Sequence, residues 1–344
     1  MKKPTLRDVA ELAGVSVGTV SRFINNPNQV GEKSRQKVSQ VIEQLNYFPD
    51  ALGRGLRAGT TRTVGLVLPD VTNPFYTNLA RGVEDIARHN KFSIVLCNTD
   101  EDAEREVEYL QVLVSKHVDG LIIAPVGGPQ SSQYLASLQK EGMKFVFVVR
   151  RLLEVKCDVV CSDLRQAAYL LTRHLTALGH KRIGLITGPN KYSTTDERIK
   201  GYREALSEAG LPFDPGLRVE SPFKVEGGYQ GTLTLMNLEN PPTAIIAGSN
   251  FIAVGTIKAA RELGIKIPQK LALVSFDDIP LASEMFPFLT VAAQPVYSIG
   301  TIAANLLLER IRGHVRETRD VVLQPELIVR YSCGANKPSS VFPF

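Results

Sequence analysis

Residues 16–25 read SVGTVSRFIN. The polar side chains here, Ser16, Thr19, Ser21, Arg22 and Asn25, suit hydrogen-bonded recognition of nucleic acid rather than the making and breaking of bonds. An arginine can hold the edge of guanine through two hydrogen bonds, a contact worth about 1–3 kcal/mol of discrimination. Hydroxyls beside the free N–H groups of a helix start favour phosphate or base edges. Bond-making chemistry needs other residue sets, and they are missing. There is no P-loop, no G-x-S-x-G elbow and no H-E-x-x-H pair. The five histidines (His89, His117, His174, His180 and His314) are scattered, with no carboxylates at motif spacing. The four cysteines (Cys97, Cys157, Cys161 and Cys333) form neither a C-x-x-C pair nor a zinc spacing, so buried thiols are expected. No enzyme, metal or cofactor is expected.

The elements that carry the polar stretch can be read around it. Thr5 is placed to cap a helix over Leu6–Ala13, with Leu6, Val9, Ala10 and Ala13 as its inward stripe. Gly14 suits a left-handed exit. Ser16 then caps a second helix, with Val15 and Val20 as a hydrophobic staple. If Val20, Phe23 and Ile24 face inward, Val17, Gly18, Ser21, Arg22 and Asn25 face out. Two helices joined by so short a turn have helix-turn-helix spacing, and the second offers a surface small enough for a major groove. A third helix over Glu32–Asn46 would close the small core with Val38, Val41, Ile42 and Leu45.

Charge singles out the same segment. Residues 1–62 carry ten Lys and Arg against five Asp and Glu, while the remaining chain carries thirty of each. A basic module on a neutral body implies a polyanionic partner. No apolar run approaches the roughly 18 residues of a membrane span. Arg7, Asp8 and Glu11 break up any signal-like start, so a cytoplasmic protein with no membrane partner is expected.

TLRDVAELAGVSVGTVSRFIN, followed by LNYFPDALGRGLRAGTT, resembles the headpiece and hinge of the lactose/purine/galactose repressor (LacI) family. The resemblance implies that Val17, Gly18 and Arg22 read bases, with Thr5, Ser16, Thr19, Ser21 and Asn25 around them. It also implies that a short hinge helix, capped by Asp50, sits in the minor groove, with Leu56 as the wedge and Arg57 beside it. GRGLRAG looks like a dinucleotide loop but lacks the preceding strand and the spacing.

From residue 63 onward, short apolar runs alternate with helical patterns: TVGLVLPD, FSIVLCNTD, VDGLIIAPV and KFVFVVR, then RIGLITGPN, TAIIAGSN and LALVSFDD. Such alternation predicts parallel sheets covered on both faces, in two similar α/β lobes. A late helix over Ser298–Ile311 returns to the first lobe. This resembles the periplasmic-binding-protein fold that the repressor family shares. The expected plan is a helix-turn-helix headpiece over 1–49 and a hinge over 50–61. The first lobe takes 62–162 and 294–320, the second 163–293 and 321–344.

Parallel sheets place ligands at the C-terminal ends of their strands. By the resemblance, Asn73, Phe75, Tyr76, Arg150, Arg151, Tyr192, Thr194, Arg198, Phe223, Asn250 and Asp277 surround an effector there. Plainer roles compete: the aromatics could pack in the core, Arg198 could pair with Asp196 or Glu197 on the surface, and Asp277 could be a turn residue. Arg150, where the family often has aspartate, together with Asn250 and Ser162 where acids are common, makes the cleft more positive than in neutral-sugar members. That leans towards a sugar acid, keto-acid or sugar phosphate over a neutral sugar.

The expected partners are double-stranded DNA with a pseudo-palindromic operator, a second copy of the chain reading the other half-site, and the small effector. The tail CGANKPSSVFPF lacks heptads, so a tetramerising coiled coil is not expected. LPDVTNPFYTNLARGVEDIA resembles the same stretch of the family's catabolite-control branch, which leaves a protein corepressor open.

Overall fold

The computed structural model describes residues 4–47, 60–314 and 317–335. It divides into a small unit up to Thr61 and a large one from Arg62 onward. The expected hinge residues Leu56 and Arg57, and the tail beyond 335, lie outside the described residues.

The small unit is three helices: α1 (Leu6–Ala13), α2 (Val17–Asn25) and α3 (Glu32–Gln44). Thr5 closes a capping box on α1. Its backbone N–H donates to Asp8 Oδ2 at 2.7 Å, and its Oγ1 accepts the Asp8 N–H at 3.4 Å. Gly14 leaves α1 at φ 62°, a conformation that glycine adopts without strain. Ser16 Oγ then accepts the Thr19 N–H at 3.1 Å and starts α2. Val9, Ala10, Ala13, Val20, Val38 and Val41 form the core. Tyr47 closes it from just past α3. The third helix ends at Gln44, two residues before the expected Asn46.

The large unit alternates strand and helix. Along the first lobe run β1 (Thr63–Leu68), α4 (Pro74–His89), β2 (Ser93–Asn98), α5 (Ala103–Ser115), β3 (Gly120–Ile123), α6 (Pro129–Lys140), β4 (Phe145–Val148) and β5 (Asp158–Ser162). The second lobe holds α7 (Leu164–Ala177), β6 (Ile183–Thr187), α8 (Ser193–Glu208), β7 (Arg218–Glu220), α9 (Val225–Met236) and β8 (Ala244–Ala247). It continues with α10 (Asn250–Glu262), β9 (Ala272–Phe276), α11 (Pro280–Met285) and β10 (Thr290–Ala293). The chain then returns to the first lobe as α12 (Val296–Ile311) and β11 (Asp320–Leu323), and ends in the second as β12 (Glu326–Ile328).

The two sheets are ordered β11-β5-β4-β3-β1-β2 and β12-β10-β9-β8-β6-β7. Every neighbouring pair is parallel except β10 with β12. Their strands are apolar on both faces because helices cover both sides. One expected boundary shifts. Asp320–Leu323 pairs with Val159–Ser162, so the first lobe extends to 323 and the last crossing falls at Gln324-Pro325 rather than after 320. The reason is the hydrogen-bonding demand of β5, whose outer edge would otherwise lie open. The returning helix begins at Val296, two residues before the expected Ser298.

Asp158 ties the return together. Fully buried, it accepts from Arg310 Nε and Nη2 at 2.5 and 2.7 Å and from the Arg319 N–H at 2.7 Å. Among the described residues, no helix is long and apolar enough to cross a membrane.

Candidate functional site

On the headpiece, the outward face of α2 holds Val17, 43% exposed, with Gly18 and Arg22 exposed and Ser21 half-buried. Asn25 is the last residue of α2. Thr5 and Ser16 are exposed, but their oxygens serve the helix caps, and Ser16 Oγ also lies 2.9 Å from Thr19 Oγ1. Gly18 is not demanded by packing. A Cβ there would meet Ser16 Oγ at 3.6 Å and Arg22 Nη2 at 3.9 Å, which are ordinary contacts.

In the body, a cavity of about 270 Å³ opens where the C-terminal strand ends of the two lobes face each other. From the first lobe, Asn73 caps α4 by accepting the Phe75 N–H at 2.9 Å, and Phe75 and Tyr76 form an edge-on pair with centroids 5.0 Å apart. After β2 come Asp100 and Glu101, both in the left-handed region (φ 53° and 63°). After β4, Val149 is also left-handed (φ 66°), and the Arg150 N–H donates back to the Val148 carbonyl at 2.6 Å. Such a three-residue turn is a strained form, rare for a β-branched residue. It aims Arg150 into the cleft and sends Arg151 away.

Arg150 is 5% exposed and grips Glu101 with both terminal nitrogens at 2.7 Å. Tyr192, at the start of α8 in the second lobe, lays its ring 4.0 Å over that guanidinium and donates its hydroxyl to Glu101 Oε2 at 2.8 Å. Burial works against the Glu101 charge. The Arg150 guanidinium outweighs it and holds the carboxyl below its ordinary value.

Arg198 is buried among aromatics, its guanidinium carbon 4.6 Å from the Phe276 ring and 5.3 Å from Phe223. Its Nη1 donates to the Thr194 carbonyl at 3.0 Å. Its Nε, and the Thr194 hydroxyl beside it, are buried without a partner among the described residues. Burial pulls the Arg198 pKa down to about 10, with Asp277 opposing. Asp277 (φ 64°) accepts from Gln294 Nε2 at 2.5 Å, and burial pushes its carboxyl up to about 6.

Asn73, Phe75, Tyr76, Arg150, Tyr192, Thr194, Arg198, Phe223 and Asp277 therefore meet around one cavity, as the strand-end argument anticipated. Two expected residues do not. Arg151 turns outward to Asp320, at 2.7 and 3.1 Å, because the turn at Val149 puts successive side chains on opposite sides. Asn250 lies off the cavity, its amide given to Asn73 across the lobes, and the neighbouring Ser249 lines the cavity instead. Ser162 donates to the Leu323 carbonyl at 3.2 Å and also lies off it. The expected positive cleft is thereby corrected, because Arg150 and Arg198 are matched by Glu101 and Asp277. Glu101, Ser249 and Gln294 went unnoticed in the sequence, although each directly follows a strand or its loop. The plainer role for Arg198 fails, since Lys200 takes both Asp196 and Glu197.

Residues 5–50 match the family described as bacterial regulatory proteins, lacI family, and residues 172–333 match the periplasmic binding protein-like domain. The HTH-type transcriptional regulator DegA of Bacillus subtilis is 37% identical over 331 residues, spanning 96% of this chain and 98% of its own. The chain belongs to the LacI family. The ribose operon repressor of Haemophilus influenzae is 36% identical over 329 residues, 95% of this chain and 98% of its own. Among solved structures, the lac repressor dimer bound to operator and an anti-inducer superposes with a TM-score of 0.83 at 25% identity, covering 96% of this chain and 99% of that one. As a LacI-family member the chain is a DNA-binding transcriptional regulator and not an enzyme.

Proposed function

We propose that this regulator represses transcription as a homodimer on a pseudo-palindromic operator, and that a small polyhydroxylated effector in the cleft controls its grip. Val17, Gly18 and Arg22 read the major groove, supported by Thr5, Ser16, Thr19, Ser21 and Asn25. Leu56 and Arg57 enter the minor groove. The observation that carries the effector half is Arg198. A buried guanidinium whose Nε has no partner among the described residues, beside a Thr194 hydroxyl in the same state and the Asp277 carboxylate, asks for a ligand that donates and accepts in alternation. A sugar's adjacent hydroxyls do that, and the aromatic side chains lining the cavity, Phe75 and Phe223 among them, suit the apolar side of a ring. Ligand pockets usually run from about 300 to 1,000 Å³, so this cavity suits a single ring.

The effector shifts DNA affinity only through its different affinity for open and closed lobes. Two interlobe contacts respond to that motion: Asn73 with Asn250, and Tyr192 with Glu101. The relative that carries ribose in its name supports a monosaccharide. The test is titration calorimetry of the full chain against a panel of monosaccharides, followed by operator affinity with and without each binder, on DNA flanking the chain's own gene. Binding of at least one sugar that changes operator affinity is expected. A binder that leaves operator affinity unchanged would sink the coupling.

A further inference from the structure

The cleft has four charges, three buried and Glu101 partly buried, and they are distributed unevenly. Arg198 and Asp277 stand in the second lobe as opposite charges that act on each other without an ion-pair contact among the described residues, so Asp277 opposes an anion at Arg198 while both keep hydrogen-bonding capacity for a neutral ligand. Arg150 and Glu101 stand in the first lobe and consume each other through two parallel bonds. Arg150 keeps one further contact, Nη1 to the Pro125 carbonyl at 3.5 Å. Glu106 lies behind this pair, buried, but its two oxygens are taken by the Val126 N–H at 2.8 Å and the Ser131 hydroxyl. Asp100, at the mouth, is taken by Arg105 and by Asn98 Nδ2 at 2.7 Å. Glu101 is thus the group that neutralises Arg150. Its left-handed backbone holds it there against a conformational cost, which the surroundings must over-determine.

We propose that Glu101 sets the charge class of the effector: by occupying Arg150 and holding Tyr192 over the pair, it makes the cleft accept an uncharged polyol and reject carboxylates and phosphates. The proposal rests on the reading that the cleft holds an effector. A free buried arginine is a strong site for a planar or tetrahedral anion, since charge-assisted, two-pronged bonds are about twice as strong as neutral ones. With the Glu101 carboxylate already on the fork, an incoming anion must displace it or lie beside it. Either costs the anion its advantage, while a neutral ring loses nothing. Tyr192 reinforces this from the other lobe, because its hydroxyl finds its acceptor on Glu101.

The experiment uses the full chain as wild type, Glu101→Gln, Glu101→Ala and the double variant Glu101→Gln/Arg150→Gln. In one arm, calorimetry compares matched pairs that differ by one charged group: glucose with glucuronate, galactose with galacturonate, ribose with ribose 5-phosphate. Wild type is expected to favour the neutral member by at least about tenfold, and both single variants to lose that preference by gaining the acid. In the other arm, the melting midpoint is followed with inorganic phosphate against chloride at equal ionic strength. Phosphate is expected to raise it in the single variants beyond wild type and not in the double variant, which also cancels any phosphate held by the headpiece.

Wild type binding the acid as tightly as its neutral partner overturns the proposal, as does equal phosphate stabilisation of wild type and both single variants. If no sugar binds but the phosphate arm behaves as expected, Glu101 keeps its neutralising role and the sugar-effector reading is what falls. Glu101→Ala carries the test should Glu101→Gln retain its hold on Arg150.

Discussion

The side-chain amides of Asn73 and Asn250 exchange two hydrogen bonds, 3.1 and 2.9 Å long, across the two lobes, and both residues are buried. Each amide also closes its own helix start, Asn73 onto the Phe75 N–H and Asn250 onto the Phe251 N–H at 2.7 Å. The pair therefore couples the first turns of α4 and α10. Removing either partner leaves the other's buried Nδ2–H without that acceptor, at a cost of about 1–3 kcal/mol. Asn73→Ala and Asn250→Ala should each lower stability by that order. The double variant should cost less than the two together, since the second loss removes the orphan left by the first. A double-mutant cycle from chemical denaturation checks this, and strict additivity would contradict it.

In the proposed function, Arg198 serves a ligand at the expense of the unliganded fold. A charge buried against Phe276 and Phe223, with one protein acceptor, is costly to keep. Arg198→Met should therefore leave the melting midpoint unchanged or raised, with Asp277 adapting by taking up a proton. Affinity for the effector should fall by roughly tenfold to a hundredfold, the scale of hydrogen bonds to a charged group. Thermal denaturation and calorimetry read the two effects separately. A strongly destabilised variant would show Arg198 to be a structural residue.

Asp277 gives the site a pH dependence with a definite sign. Burial raises its carboxyl from 3.8 to about 6, so the folded chain binds more protons than the unfolded chain between those values. Its contribution to stability is fully present below the unfolded value and is lost as the pH rises through about 6. If the proposed effector donates a hydroxyl to the ionised form, binding draws the pKa back down and releases a proton. Effector affinity should weaken as the pH falls below about 6, by up to about tenfold per pH unit. Calorimetry in buffers of different ionisation enthalpy measures the proton release. Asp277→Asn should abolish both the release and the slope.

Much of this arrangement could be read from the residues alone. The headpiece follows from local chemistry: Thr5 and Ser16 are caps in sequence and caps in the fold, and Gly14 is left-handed where a tight exit was needed. The cleft follows from strand ends, which is why Phe75, Tyr192, Arg198 and Asp277 converge. Pairings between distant residues were not legible. Nothing local says that Arg150 meets Glu101, 49 positions away, or that Asn250 turns to Asn73, 177 away. The side-to-side sense of Arg150 and Arg151 depended on a left-handed Val149, which a β-branched residue seldom adopts. The charge of the cleft is hidden for the same reason, because the sequence shows Arg150 without showing that Glu101 pairs with it.

Asp158 offers a test of the fold apart from the site. Its carboxylate is fully buried and joins β5 to α12 and to the chain entering β11. Removing one member of a buried ion pair leaves the other uncompensated, at about 3–5 kcal/mol. Asp158→Ala should cost that much in chemical denaturation. Arg151→Ala, which breaks a half-exposed pair with Asp320, should cost at most about 1 kcal/mol.

Gly18 separates reading DNA from folding. The space around its Cα admits a methyl group at ordinary contact distances, and alanine favours a helix by roughly 1 kcal/mol over glycine. Gly18→Ala should therefore leave the headpiece as stable or more so. If this face enters the major groove, the added methyl group changes which base edge fits, so the preferred operator should shift while non-specific affinity stays constant. Arg22→Ala, on the same exposed face, should cost about 1–3 kcal/mol on the operator and relax preference at one position of each half-site. Selection from a random duplex library, at two salt concentrations, reads preference and charge contribution separately. Gly18→Ala selecting the wild-type operator with undiminished affinity would remove Gly18 from the reading surface.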